Sequence, residues 1–259
     1  MANRLNKLLL STLIFASPMV FSHEDVDSII NPDDLQDVTK VNPQAALYIT
    51  SDANIRVSGM FSGKWNENVD FAGFAEGIFG NRYGEDSFDG DYLGGRAQYF
   101  QVHATGNSYI PRIGFSTDLI HQKNRGLDDT SLFSAGIVAA IDGSFTPGFQ
   151  VFPNVAYSVG EVFGETADGY LANLFVSTPI GDNGSFLLLW PEYFDVSGDN
   201  VELESKSLNF VFQSPIKNNY GQWFVTKLAY NETDITLPNG ARIEGDGDVT
   251  LEFGVKWYF

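Results

Sequence analysis

The sequence predicts an all-β fold: a closed antiparallel transmembrane β-barrel of twelve strands, with ten as the alternative count. Three observations predict it. Residues 248–259 form one unbroken alternation of apolar and polar side chains. Between residue 50 and the end β-rich segments recur about every 12–20 residues, between clusters of Gly, Asn, Asp and Ser. The connections between those segments sort into a short set and a longer acidic set, as the two ends of such a barrel require.

In the final segment Val249, Leu251, Phe253, Val255, Trp257 and Phe259 share one face, and Asp248, Thr250, Glu252, Gly254, Lys256 and Tyr258 share the other. A period of two marks a strand with one apolar and one polar side. Hydrocarbon would cover such a row, and closure would remove the free edge that a terminal strand exposes. A secreted β-sandwich is the competing fold, and it must cover the same row with a second sheet. The pattern Glu252-x-Gly254-x-x-Trp257-x-Phe259 resembles the C-terminal signal of small bacterial outer-membrane β-barrel proteins. That resemblance implies the class of membrane protein and the barrel-assembly machinery as a partner. It implies nothing about substrate.

At the other end Arg4 and Lys7 precede an apolar run from Leu8 to Phe15, followed by small residues before Ser22. This is the pattern of a Sec signal peptide over residues 1–22, cleaved near Val20-Phe21-Ser22. The run is shorter than the ~20 apolar residues of a membrane helix. Residues 23–44 are polar and acidic, with Pro32 and Pro43. They read as a periplasmic segment, or as one tucked into the lumen, with the barrel occupying 45–259. The chain has 259 residues and no Cys, which excludes disulfides, thiolate metal sites and a lipidated Cys. Aromatic residues at 14% and 26 Gly suit strands and turns. A formal charge of −18 argues against nucleic acid as a partner.

The strand segments, in order, are 45–51, 54–65, 69–80, 92–104, 110–122, 132–142, 149–163, 170–180, 186–196, 201–214, 222–231 and 248–259. The first supplies the even count that single-chain bacterial barrels use. In 110–122, Ile113, Phe115 and Leu119 oppose Arg112, Gly114, Ser116 and Asp118. In 149–163, Phe149, Val151, Pro153, Val155, Tyr157 and Val159 oppose Gln150, Asn154 and Ser158. Segment 186–196 is apolar on both faces at its start, which fits an inner face packed on a plug, or a shifted register.

With both ends in the periplasm, the last strand descends and the connections alternate backwards from it. The outside set is Glu232–Gly247, Ser197–Asn200, Gly164–Gly169, Lys123–Ser131 and Asn81–Asp91. The inside set is Lys217–Gly221, Gly181–Ser185, Gly143–Gly148, Thr105–Tyr109 and Asn66–Asn68. The outside connections carry most of the loop acids, among them Glu85, Asp128, Asp168, Asp199, Asp234 and Asp246; the inside ones carry Glu67 and Asp182. The acidity is therefore a feature of one rim.

Candidate chemistry is sparse. His121-Gln122-Lys123-Asn124 resembles the His-x-Ser-Asn stretch of outer-membrane phospholipases, but Lys123 stands where an activated hydroxyl is needed. His103-Ala104-Thr105-Gly106-Asn107 resembles the corresponding stretch of lipid A deacylases, with Thr105 for Ser and at the wrong rim. An omptin-type protease needs acids beside a His at the outer rim, and His121 with Asp128 and Asp129 is the nearest approach. No catalytic residue is assigned and no cofactor is expected. Asp86, Asp89 and Asp91, like Glu244, Asp246 and Asp248, offer oxygens on glycine turns that suit Ca²⁺ weakly; the plainer reading is a solvated acidic loop.

The polar sides of the strands give the lumen-lining candidates Glu76, Arg96, Arg112, Asp118, Asn154, Glu252 and Lys256. Such residues either line a narrow aqueous channel or pair across it and close it. The expectation is a porin-like passive channel for small solutes in the outer membrane, monomeric, and surrounded by lipid and lipopolysaccharide. The alternatives are a non-conducting structural or surface-interaction barrel with acidic outer loops and, third, a barrel-embedded hydrolase. In architecture the chain is similar to twelve-stranded monomeric channels for nucleosides or acidic oligosaccharides, although it has few Lys and Arg to build a basic lumen.

Overall fold

The computed structural model describes residues 43–81, 88–216 and 219–259, without the side chains of 219 and 220. The expected signal peptide (residues 1–22), residues 23–42 and the acids Glu85 and Asp86 lie outside the described residues. Thirteen strands form: β1 (Gln44–Thr50), β2 (Ile55–Asn66), β3 (Val69–Gly80), β4 (Asp91–Ala104), β5 (Arg112–Gln122), β6 (Thr130–Ala140), β7 (Gln150–Val162), β8 (Glu165–Pro179), β9 (Phe186–Ser197), β10 (Glu202–Ile216), β11 (Asn219–Thr236), β12 (Arg242–Ile243) and β13 (Asp248–Tyr258). Each long strand pairs antiparallel with its neighbours in sequence. The ring closes through β1 on β13, with Leu47 opposite Val255, and through β10 on β11. Closure satisfies every ladder and leaves no edge, which excludes the sandwich.

Twelve strands therefore make the barrel. The thirteenth, β12, is a two-residue extension that pairs with the end of β11 in the last outer connection. Both described ends meet at one rim, where the Phe259 amide donates to the Pro43 carbonyl at 3.0 Å. Barrel pairing begins at Gln44, one residue before the expected boundary.

The alternation read from the sequence decides which side chains point where. Ile113, Phe115, Leu119, Val155, Tyr157, Val249 and Phe253 are exposed on the outside, while Ser116, Asp118, Asn154, Ser158 and Glu252 are buried inside. Rings gather in two outward bands. Toward one rim Trp65, Phe71, Tyr99 and Phe115 follow one another at centroid separations of 4.7, 6.4 and 5.8 Å. Toward the other, Phe79, Tyr92 and His121 are spaced at 5.8 and 5.9 Å, and Tyr157 meets Tyr170 at 5.5 Å. Paired aromatic girdles around an apolar band are what the two interfaces of a bilayer select.

Two sequence expectations need correction. Gly164–Gly169 is not a loop: β7 and β8 join through Phe163 and Gly164 alone, both left-handed at φ 53° and 81°. Two positive φ values at a two-residue hairpin make a turn whose twist matches its strands. Phe163 tolerates the strain because its ring is buried in the barrel mouth, at 8% exposure, among Leu132, Val162, Leu171, Phe194 and Val201. The inner connection between β6 and β7 also spans 141–149, so Asp142 joins Glu67 and Asp182 at the less acidic rim.

The blurred segment 186–196 is in register as strand β9. Its inner residues Phe186, Leu188, Trp190 and Phe194 are apolar because they pack on other inward side chains across the barrel, among the described residues, rather than on a plug. Phe186 meets Trp223, which meets Tyr258, at centroid separations of 5.9 and 5.8 Å. The core of this protein is its lumen.

Candidate functional site

At mid-lumen a belt of charged side chains runs around the wall. Arg56 on β2 donates through Nε to Glu252 on β13 at 2.9 Å and through Nη1 to Glu76 on β3 at 2.7 Å. Lys227 on β11 reaches the other oxygen of Glu252 at 3.4 Å. The Arg56 guanidinium lies 3.9 Å from the ring centre of Tyr48, a cation–π contact that fixes its plane. Tyr48 in turn lies over Gly254: a Cβ there would stand 2.3 Å from the tyrosine ring and 2.6 Å from the Leu47 carbonyl. That close approach is why the position is glycine.

The belt continues from Glu76 to its cross-strand partner Arg96 on β4. Arg96 holds Asp118 on β5 with Nε at 2.8 Å and, through Nη2, Glu192 on β9 at 2.8 Å. Four strands lie between β4 and β9 one way around the ring of twelve and six the other way, so this contact crosses the lumen. Gln98 donates to Asp118 at 2.8 Å and Asn173 to Glu192 at 3.3 Å, so both carboxylates keep further donors. Buried charges need this density of partners, because each loses most of its hydration.

The seven lumen candidates do not form one group. Glu76, Arg96, Asp118 and Glu252 belong to the belt. Asn154 accepts from Ser116 at 2.7 Å on a neighbouring patch of wall, where Ser134 and Ser158 also bond each other at 2.6 Å. Arg112 lies toward the rim that holds both described chain ends, 4.0 Å from Asp70. Lys256 points inward below the belt, where its Nζ donates to Gln213 at 2.5 Å. Sequence reasoning missed Arg56, Lys227, Gln98, Asn173 and Glu192. Arg56 and Lys227 had a signal, since Ile55/Val57 and Phe224/Leu228 alternate around them; Glu192 had none in its doubly apolar strand.

Between the belt and the ring cluster of Phe186, Trp223 and Tyr258 lies a cavity of about 310 Å³. Arg56, Glu76, Arg96, Glu192, Trp190, Leu188 and Lys256 are among the residues that line it.

The remaining candidates sit outside the lumen. His121 stacks on Tyr92 and places Nδ1 2.9 Å from the Ser131 hydroxyl on the outer face. Asp129 is 4.0 Å from the other ring nitrogen, and Lys123 contacts that same carboxylate oxygen. His103 meets Gln101 at 3.1 Å, and Thr105 bonds the Ile110 carbonyl at 2.5 Å within its turn. Asp89 accepts from Asn81 at 3.2 Å, and no group of three or more acids or His is gathered for a metal among the described residues.

Fold and site together define a membrane-spanning β-barrel of the outer-membrane type, salt-bridged through its lumen. No protein-family model and no curated protein matches the chain. Among solved structures the NanC porin is similar at TM-score 0.50 and 10% identity, over 84% of this chain and 100% of that one. The KdgM porin in complex with disordered oligogalacturonate is similar at 0.47 and 8%, over 85% of this chain and 99% of that one. The likeness is one of fold.

Proposed function

We propose that the chain is a narrow, non-enzymatic porin-like channel of the bacterial outer membrane, passing small solutes. The observation that carries this reading is the inversion of polarity. The exterior is apolar between two aromatic bands, and the interior holds an ion-paired belt above a lined cavity. Such a belt is wasteful in a wall that only anchors, because apolar packing of the same volume would hold it as well. The acidic outer rim would sit against lipopolysaccharide and share its bridging divalent cations. Residues 1–22 would direct Sec export. Glu252, Gly254, Trp257 and Phe259 would present the chain to the assembly machinery, while Glu252 and Gly254 also serve the lumen.

One observation favours the second reading, a silent structural barrel: Arg96 and Glu192 close over the lumen from opposite walls. Conductance separates the two. Outer-membrane fractionation and heat-modifiable migration on a gel first establish the folded barrel. In a planar bilayer the channel reading expects discrete, small conductance steps; a folded barrel that never conducts overturns it.

A further inference from the structure

We propose that the cavity below the belt is a binding site for a small zwitterion with an apolar body, an α-amino acid of the leucine or phenylalanine kind. The proposal rests on the channel reading and names what the channel holds. Lys256 is 8% exposed, and its only hydrogen-bond partner among the described residues is the neutral side chain of Gln213. No carboxylate among the described residues forms an ion pair with it, although every other inward cation of this region has one. A buried ammonium without a counter-ion is costly, and an arriving carboxylate removes that cost.

The opposite pole lies in the belt. Four carboxylates (Glu76, Asp118, Glu192, Glu252) face three cations (Arg56, Arg96, Lys227), so the belt holds one surplus negative charge. Glu76 and Glu192 face the cavity from there. An anion alone would satisfy Lys256 and leave the belt uncompensated; a cation alone would do the reverse. A zwitterion satisfies both. Two further polar atoms of the cavity wall, the Trp190 indole N–H and the Gln44 side-chain amide oxygen, are buried without a hydrogen-bond partner among the described residues, one donor and one acceptor. Leu188, Phe175, Phe186 and Tyr258 supply the apolar wall against which a hydrocarbon side chain would lie. At about 310 Å³ the space falls at the small end of ligand sites. The acidic outer rim favours entry of the ammonium end.

Trp190 in the wall gives a readout that does not depend on conduction. The refolded full chain in detergent is titrated with leucine, with 4-methylpentanoate (the same body without the amine) and with 3-methylbutylamine (without the carboxylate), following tryptophan fluorescence. Saturation by leucine is expected, with each analogue weaker by about tenfold or more. Lys256→Met should weaken leucine by a similar factor, and Lys256→Arg should keep most of the affinity. A full response to leucine in the Lys256→Met variant, equal binding of 4-methylpentanoate, or no saturation by leucine would each overturn the proposal. Conductance is recorded on the same preparation: binding without current removes the channel and keeps the site, and current without binding does the opposite.

Discussion

Arg96 and Glu192 join opposite walls of the barrel by two hydrogen bonds, at 3.2 and 2.8 Å. Arg96 keeps a second carboxylate, Asp118, on the adjacent strand. Glu192 is therefore the removable half of the contact. Glu192→Ala should leave the fold intact and raise single-channel conductance severalfold, because it clears the cross-lumen bridge without stranding a cation. Unchanged conductance in a folded variant would mean that the constriction lies elsewhere.

Removing the other half should act on stability instead. Arg96→Met leaves both Asp118 and Glu192 buried without their cation, a change worth about 3–5 kcal/mol for a buried pair. Its urea midpoint should fall well below that of Glu192→Ala. The double variant Arg96→Met/Glu192→Met should recover part of the loss, since it removes a stranded charge. Equal midpoints for the two single variants would show that the belt is solvated and contributes little.

The glycine beneath Tyr48 gives a sharper test of packing. Gly254→Ala forces a Cβ into the ring, and overpacking of this kind costs about 1–3 kcal/mol. Tyr48→Ala alone should also destabilise, by emptying a buried aromatic site beside Arg56. Combining them should cost less than the sum, because the small side chain removes the clash with the ring and leaves only that with the Leu47 carbonyl. Strict additivity, read from urea unfolding in detergent, would contradict the contact.

At the mouth, Phe163 balances a left-handed backbone against burial of its ring. Phe163→Ala loses the burial and retains the strain. Phe163→Gly loses the burial and releases it. The glycine variant should therefore be the more stable of the two by about 1 kcal/mol, the reverse of the usual order in strands. Alanine more stable than glycine, by the same unfolding measurement, would refute the turn geometry.

Much of this architecture was legible in local pattern. Alternation in 110–122, 149–163 and 248–259 fixed which face is apolar, and the sorting of connections fixed which rim is acidic. Glu252 and Asp118 followed from the same period of two, whereas Arg96 lies in segment 92–104, where the alternation is broken. The bond between Arg96 and Glu192 did not, because it depends on which strands lie opposite after closure, a property of the whole ring. Segment 186–196 hid Glu192 for a related reason: its inner residues pack on the far wall, so both faces are apolar. Phe163-Gly164 was obscured by the polar run that follows it, which pairs with β7 through its backbone.

The central claim is that hydrocarbon covers the outward side chains. The chain has no Cys, so a single nitroxide label is readily placed, at Val155→Cys on the outward face of β7 and at Phe145→Cys in the connection between β6 and β7. In lipid vesicles the label at 155 should be relaxed more by oxygen than by a water-soluble nickel chelate, and the label at 145 the other way round. A label at 155 that meets the nickel chelate as readily as the one at 145 would place water on that face and contradict the membrane-spanning barrel.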